Sequence, residues 1–203
     1  MKQEEKTKLT VAKIIDAAMH EFGKNGYTGG AVNNICKSGI NKGLVYHNFK
    51  DKDALYMACL EISCNKLVDY IKEKNCTSDI LKYMEARMSF FEAFPDEAHI
   101  FFEAVLMPQE HLYNDIKKAL CDFEKINEAV YRNTVAGLSL RDGVTMDDAV
   151  LYFHEMQNMF NAYFSSPAYR NTAFDEKIIS HETNLPKLLN FMLYGIVKGD
   201  DEE

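Results

Sequence analysis

Proline and glycine are scarce in this chain, four and ten among 203 residues. Strand-like alternation of apolar and polar residues is scarce too. These shortages disfavour a turn-rich β architecture and leave helices as the main element. No apolar run approaches the roughly 18 residues that cross a bilayer. The opening MKQEEKTKLT is charged and has no apolar core of the kind a secretory signal needs. A cytoplasmic protein without a membrane partner is therefore expected. The five cysteines (Cys36, Cys59, Cys64, Cys76 and Cys121) form no C-x-x-C pair and no Cys/His grouping, so reduced thiols are the simplest account. There is no glycine-rich loop to cradle phosphate, no nucleophile elbow, and no repeated Glu-x-x-His of a di-iron bundle. Asp96, His99 and Glu103 bring two carboxylates near one imidazole, too few ligands for a metal centre. No enzymatic activity and no cofactor are expected.

What is present is a 47% hydrophobic composition, enough for a sizeable core, and a formal charge of -8 that is unevenly spread. Residues 1–60 carry nine lysines against six acids, a net +3, which leaves -11 for the remainder. A basic head on an acidic body orients a protein head-first toward a polyanion.

Helical periodicity divides the chain into consecutive segments. Val11, Ile14, Ile15, Ala18 and Phe22 share one face of a first helix that starts near Thr7 or Thr10 and stops at Gly26. A short second helix is predicted over about residues 30–37, with Val32 and Ile35 inward. Ser38-Gly39 makes a turn, and a third short helix covers about residues 41–48 with Val45 and Phe49 as anchors. Asp51 suits the N-cap of a fourth helix reaching about Asn75. Two short helices joined by a glycine-containing turn, braced on both sides, describe a helix-turn-helix. Beyond it, Thr77-Ser78-Asp79 caps a helix ending at Phe94-Pro95. Asp96 opens another that ends near Met107, and a long helix spans about residues 109–138. SLRDGVT is a loop, and Thr145 caps a helix to about Ser165. A last helix is predicted over about residues 184–197 with Pro186 in its first turn, followed by the acidic tail GDDEE.

The most informative stretch is Ile40 to Leu55, INKGLVYHNFKDKDAL. Gly43 has no side chain, so its helix can approach base edges or backbone closely. Lys42 can reach a phosphate or a guanine edge. Tyr46 and His47 lie one turn on, with hydrogen-bonding groups suited to phosphate. Lys52 falls in the first turn of the fourth helix, where backbone N–H groups already favour an anion. Leu44 reads equally as a contact to a thymine methyl and as a packing residue.

This segment and its flanks resemble the N-terminal domain of the TetR family of transcriptional regulators. Phe22, Gly26 and Tyr27 match the family's F-x-x-x-G-Y, and Val32 with Ile35 its V-x-x-I. Gly39-Ile40-Asn41-Lys42-Gly43 is similar to G-V-S-K-G. Tyr46 to Phe49 looks like Y-x-x-F, and Lys50 to Leu55 like K-x-K-x-x-L. Two departures stand out. Ile35 to Gly39 is one residue shorter than the family's usual spacing. The Thr/Ser pair that opens the second helix is replaced by Gly29-Gly30-Ala31, which leaves Thr28 as the nearest capping hydroxyl.

The resemblance implies an all-α fold. An N-terminal three-helix DNA-binding domain with a helix-turn-helix (residues 1–50) would precede a larger C-terminal helical effector-binding and dimerisation domain (residues 51–203). It implies contacts to a double-stranded DNA operator from Thr28, Asn41, Lys42, Gly43, Leu44, Tyr46, His47 and Lys52. Central helices rich in Phe, Tyr and Met would enclose a small, mostly apolar effector. The candidates are Met88, Phe91, Phe102, Leu106, Tyr131 and Phe153, with His154 a polar anchor and His99 and His111 further ones. Core packing is the competing reading for each of them. Tyr152, Phe153, Met156, Phe160, Tyr163 and Phe164 form one apolar face, and Leu185, Leu188, Leu189, Met192, Leu193 and Ile196 another. Two such helices per subunit would build a homodimer through a four-helix bundle. The expected function is a ligand-responsive regulator, a repressor released from its operator by effector. The competing reading, prompted by the shortened turn, is an all-helical ligand-binding or protein-interaction dimer that no longer reads DNA.

Overall fold

A computed structural model describes residues 3–196. The expected end of the last helix at Val197 and the GDDEE tail lie outside the described residues, as does the side chain of Ile196. The described residues form nine α-helices: α1 (Gln3–Gly29), α2 (Val32–Cys36), α3 (Lys42–Asn48), α4 (Lys52–Glu73), α5 (Ile80–Ala93), α6 (Pro95–Leu106), α7 (Tyr113–Ala136), α8 (Met146–Ser165) and α9 (Phe174–Ile196). Single 3-10 turns at Glu110–Leu112 and Pro167–Tyr169 precede α7 and α9.

Several boundaries follow from caps visible in the sequence. Asn41 accepts from Gly43 N at 2.7 Å at the start of α3, and Asp51 from Ala54 N at 2.8 Å at the start of α4. Asp79 accepts from the Leu81 and Lys82 amides ahead of α5. Thr145 and Asp148 close a reciprocal capping box on α8.

Two boundaries differ from expectation. Helix α1 begins by Gln3, because Thr10 does not cap it; the Thr10 hydroxyl donates to Lys6 O at 2.9 Å, inside the helix. Helix α9 begins at Phe174, and Pro186 sits in its interior rather than in its first turn. The buried stripe Ile178, Glu182, Leu185 and Leu189 runs straight through that proline. Burial on both sides of Pro186 outweighs the one backbone hydrogen bond that a proline cannot make.

The chain packs as two compact units. The first comprises Met1–Lys66 and Phe91–Leu120. Its core contains Ile14, Ala18 and Phe22 from α1, Val32 and Ile35 from α2, Val45 from α3, and Leu55 and Tyr56 from α4. Each Val, Ile, Leu or Phe among them contributes about 1.5–3 kcal/mol by leaving water. Phe22 meets Tyr56 edge-on, with ring centroids 5.4 Å apart. Helix α1 lies against α6 so closely that a Cβ at Gly23 would stand 2.6 Å from Asp96 Cβ.

The second unit comprises Leu67–Phe90 and Cys121–Glu203. Tyr83, Phe90, Tyr131, Phe153 and Phe164 fill its core. Within it Arg87 donates two hydrogen bonds to Glu182, at 2.7 and 3.1 Å, with both side chains almost wholly buried. Burial opposes ionisation of Glu182, but Arg87 and then His181 prevail and hold its carboxyl below the ordinary range.

The expected outer faces of the last two helices divide. Phe153, Met156 and Phe164 of α8 and Leu185 and Leu189 of α9 are buried within the single subunit. Periodicity alone could not separate them from exposed neighbours on the same broad apolar face. The exposed apolar residues are instead Leu151, Tyr152, Met159 and Tyr163 on α8 and Ile179, Phe191 and Tyr194 on α9.

Candidate nucleic-acid interface

Helix α3 is seven residues long and is anchored by one fully buried side chain, Val45. Phe49, the other expected anchor, is half-buried at its C-cap. With Val45 inward, the opposite side of the helix faces water. Lys42, Gly43, Leu44, Tyr46 and His47 are all exposed. Tyr46 and Leu44 keep 48% and 44% of their surface, unusual for large side chains on a helix whose other face is core. Lys42 and Tyr46, four residues apart, stand together, with the ammonium 5.9 Å from the ring centre. Lys42 Nζ also donates to Asn33 Oδ1 at 3.0 Å, which brings α2 into the same cationic edge. Gly43 meets only the Asn41 side-chain oxygen Oδ1, 3.0 Å from where a Cβ would lie, so this edge is bare backbone.

The turn ahead of α3 is closed despite its short spacing. Ser38 N and Oγ both donate to Ile35 O, and Gly39 N to Cys36 O. Gly39 takes a left-handed conformation (φ 87°) with open space around it. Helix α2 ends at Cys36, ahead of this turn. Thr28 does not cap α2. Its N-cap is Ala31, whose amide donates to Glu21 Oε1 at 3.0 Å, and the same oxygen accepts from Asn34 Nδ2 at 2.9 Å. A carboxylate one helix earlier replaces the hydroxyl, a substitution that local spacing does not reveal. Thr28 itself is exposed.

Lys52 is half-buried, its ammonium 4.4 Å from the centre of the Tyr27 ring. Tyr27 carries more than its place in a helix-end motif suggests. Its hydroxyl donates to Asp53 Oδ1 at 2.6 Å and lies 3.2 Å from His111 Nε2, which is also 3.2 Å from Asp53 Oδ2. Burial and then the bond to Asp53 push the Tyr27 phenol up to about 12. His111, expected as an effector anchor, is placed in this group.

The effector candidates fall into separate clusters. Phe91 and Phe102 meet in the first unit with centroids 4.8 Å apart, and Leu106 is buried in that same unit. In the second unit Tyr131 stacks on Phe153 at 4.1 Å with 12° between planes. The Tyr131 hydroxyl is buried without a hydrogen-bond partner. His154 Nε2 lies 3.4 Å from Glu128 Oε2, and Met88 is half-buried. Among the described residues no group of three or more His, Cys, Asp or Glu could hold a metal ion. None of their helices is long and apolar enough to cross a membrane.

An exposed cationic edge on a short helix, reached through a glycine turn and packed against α1 and α2, is the arrangement of a helix-turn-helix. Residues 14–59 match the model of the bacterial regulatory proteins, tetR family. Among curated proteins none matches. Similar solved structures extend over nearly the whole chain. FadR from Bacillus subtilis, solved in complex with stearoyl-CoA, is 15% identical, with 92% of this chain and 99% of that one covered and a TM-score of 0.62. FadR from Bacillus halodurans is 14% identical, covering 91% and 98%, at a TM-score of 0.63. A TetR-family regulator from Chloroflexus aurantiacus is 16% identical, covering 95% of each chain, at 0.60. These likenesses are of fold.

Proposed function

We propose that this chain is a one-component, ligand-responsive transcriptional regulator that represses by occupying an operator through α3. The observation that carries this reading is the solvent-facing edge of Lys42, Gly43, Tyr46 and His47 on a helix with a single inward anchor. Such an edge suits a major groove: Lys42 reaches phosphate or guanine, bare backbone at Gly43 allows close approach, and Tyr46 and His47 offer hydrogen bonds to phosphate. Thr28, Asn41, Leu44 and Lys52 complete the proposed surface. Asn41 contributes chiefly by capping α3, since its side-chain oxygen is already engaged there.

The exposed Tyr152, Met159, Tyr163, Phe191 and Tyr194 support a homodimer through α8 and α9. Two copies of α3 would then read half-sites about one helical turn apart. Residues 1–50 act as the head, and residues 51–203 as the effector-binding and dimerisation part. A mostly apolar effector suits the aromatic surroundings found within each unit, those of Phe91, Phe102 and Leu106 in the first and of Met88, Tyr131, Phe153 and His154 in the second. The buried, unpartnered Tyr131 hydroxyl supplies one polar handle. A fold of this kind accommodates stearoyl-CoA in the Bacillus subtilis regulator, a ligand with a long apolar chain. Effector lowers operator affinity only if it binds the two arrangements of the heads unequally.

Binding of the purified protein to duplexes from its own promoter, measured at two salt concentrations, tests the reading. Affinity that falls steeply with salt is expected. Indifference to DNA at low salt would favour a dimer that has lost DNA reading.

A further inference from the structure

We propose that Glu103 is a positioning residue for DNA binding: from α6 its carboxylate grips the end of α1 and sets the angle at which the chain departs toward α2 and α3. This rests on the DNA-binding reading above. Glu103 is 8% exposed and sits on the buried side of α6. Both of its oxygens accept from one backbone amide, Tyr27 N, at 2.9 and 2.8 Å. The Tyr56 hydroxyl donates to Oε2 at 3.2 Å.

The amide it holds lies just past the point where α1 breaks. Gly26 has φ 66° and ψ 180°, and a Cβ there would stand 2.7 Å from Glu103 Oε1. Glycine at 26 thus serves both the left-handed turn and the approach of the carboxylate. Tyr27 is held a second time by its side chain, through Asp53 in the first turn of α4 and His111 beyond α6. Lys52, next to Asp53, stacks its ammonium on the same ring. One residue is therefore clamped by backbone from α6 and by side chain from α4, five positions before α2 opens the helix-turn-helix.

A buried carboxylate is a costly way to join two helices unless its bonds fix a geometry. The groups facing it are Tyr27 from α1, Tyr56 and Lys52 from α4, and His99 on its own helix. Burial raises the Glu103 carboxyl above its ordinary value, against the bonds from Tyr27 and Tyr56 and the charges of His99 and Lys52. Protonation as pH falls weakens the grip, since bonds to a charged acceptor are the stronger.

The test compares wild type with Glu103→Gln and Tyr56→Phe. It uses fluorescence anisotropy on a promoter duplex from mildly acidic to mildly alkaline pH, with thermal melting and the amide NMR signal of Tyr27 alongside. Glutamine keeps the shape but offers the amide one neutral acceptor. Affinity should fall about tenfold at neutral pH with secondary structure intact. The acid-side loss of affinity in wild type should be missing from Glu103→Gln. Tyr56→Phe removes a donor to the charged form and should move that loss to higher pH; it also serves if Glu103→Gln does not fold. Equal affinity and superimposable pH profiles for all three proteins overturn the proposal. If wild type binds no promoter duplex, the DNA-binding reading is what fails. The Tyr27 signal then decides about the grip, which stands if the acid titration of that signal vanishes in Glu103→Gln and falls if it persists.

Discussion

The ammonium of Lys52 rests 4.4 Å from the centre of the Tyr27 ring, so the first turn of α4 is tied to the last residues of α1 by a cation held on an aromatic face. The same ring touches Tyr56 with centroids 5.1 Å apart. A lysine proposed to reach phosphate from the N-terminus of α4 is pre-oriented by this contact. Lys52→Ala should weaken promoter binding across all duplex sequences and lower the slope of log K against log salt by about one. An unchanged slope in a salt titration would remove Lys52 from the DNA contacts.

Val45 and Tyr46 are neighbours in α3 with opposite surroundings, 1% and 48% exposed. Tyr46→Ala should reduce DNA affinity while leaving the urea midpoint nearly unmoved. Val45→Ala should cost about 2 kcal/mol of stability. Paired urea denaturation and DNA titrations would show the two effects separating; equal stability losses would mean that Tyr46 packs in the folded protein.

Phe191 is 83% exposed and Tyr194 73%, on the C-terminal half of α9. Phe191→Asp should shift sedimentation velocity from a dimeric toward a monomeric species without altering helix content. A dimer undiminished by this change would place self-association elsewhere on the chain.

Arg87 and Glu182 form a buried pair, and removing one partner leaves the other charge uncompensated. Arg87→Met should destabilise the protein by about 3–5 kcal/mol, while the double change to Met and Leu should recover much of the loss. The pH dependence has a definite sign. Glu182 titrates lower in the folded protein than in the unfolded chain. Its contribution is present above the unfolded carboxylate value of about 4.3 and is lost as pH falls through the folded one. Thermal melts over that acidic range should show a shallower fall for the double variant; identical slopes would deny the pair its role.

Local signals in the sequence carried much of the fold. Asn41, Asp51, Asp79 and Thr145 mark helix starts because a side-chain oxygen satisfies amides two or three residues on, an interaction written in neighbouring residues. The period of Ile14, Ala18 and Phe22 assigns a face for the same reason. The helix-turn-helix was legible because Val45, read with Phe49 as an inward anchor, sends Lys42, Tyr46 and His47 outward. What local spacing could not decide was which partner meets each face. Pro186 reads as a helix start until burial on both sides shows α9 passing through it. The aromatic faces of α8 and α9 look uniform until packing buries Phe153 and Phe164 and leaves Tyr152 and Tyr163 in water.

Helix content, the helix-turn-helix and its outward cationic edge were determined by the sequence alone, because capping and periodicity act over a few residues. The tertiary structure alone decided that Glu21 caps α2, that Glu103 holds Tyr27 from 76 positions away, and that Arg87 finds Glu182 across 95. Those bonds exist only once the helices have packed, and burying such groups is tolerable only where the partner is already in place.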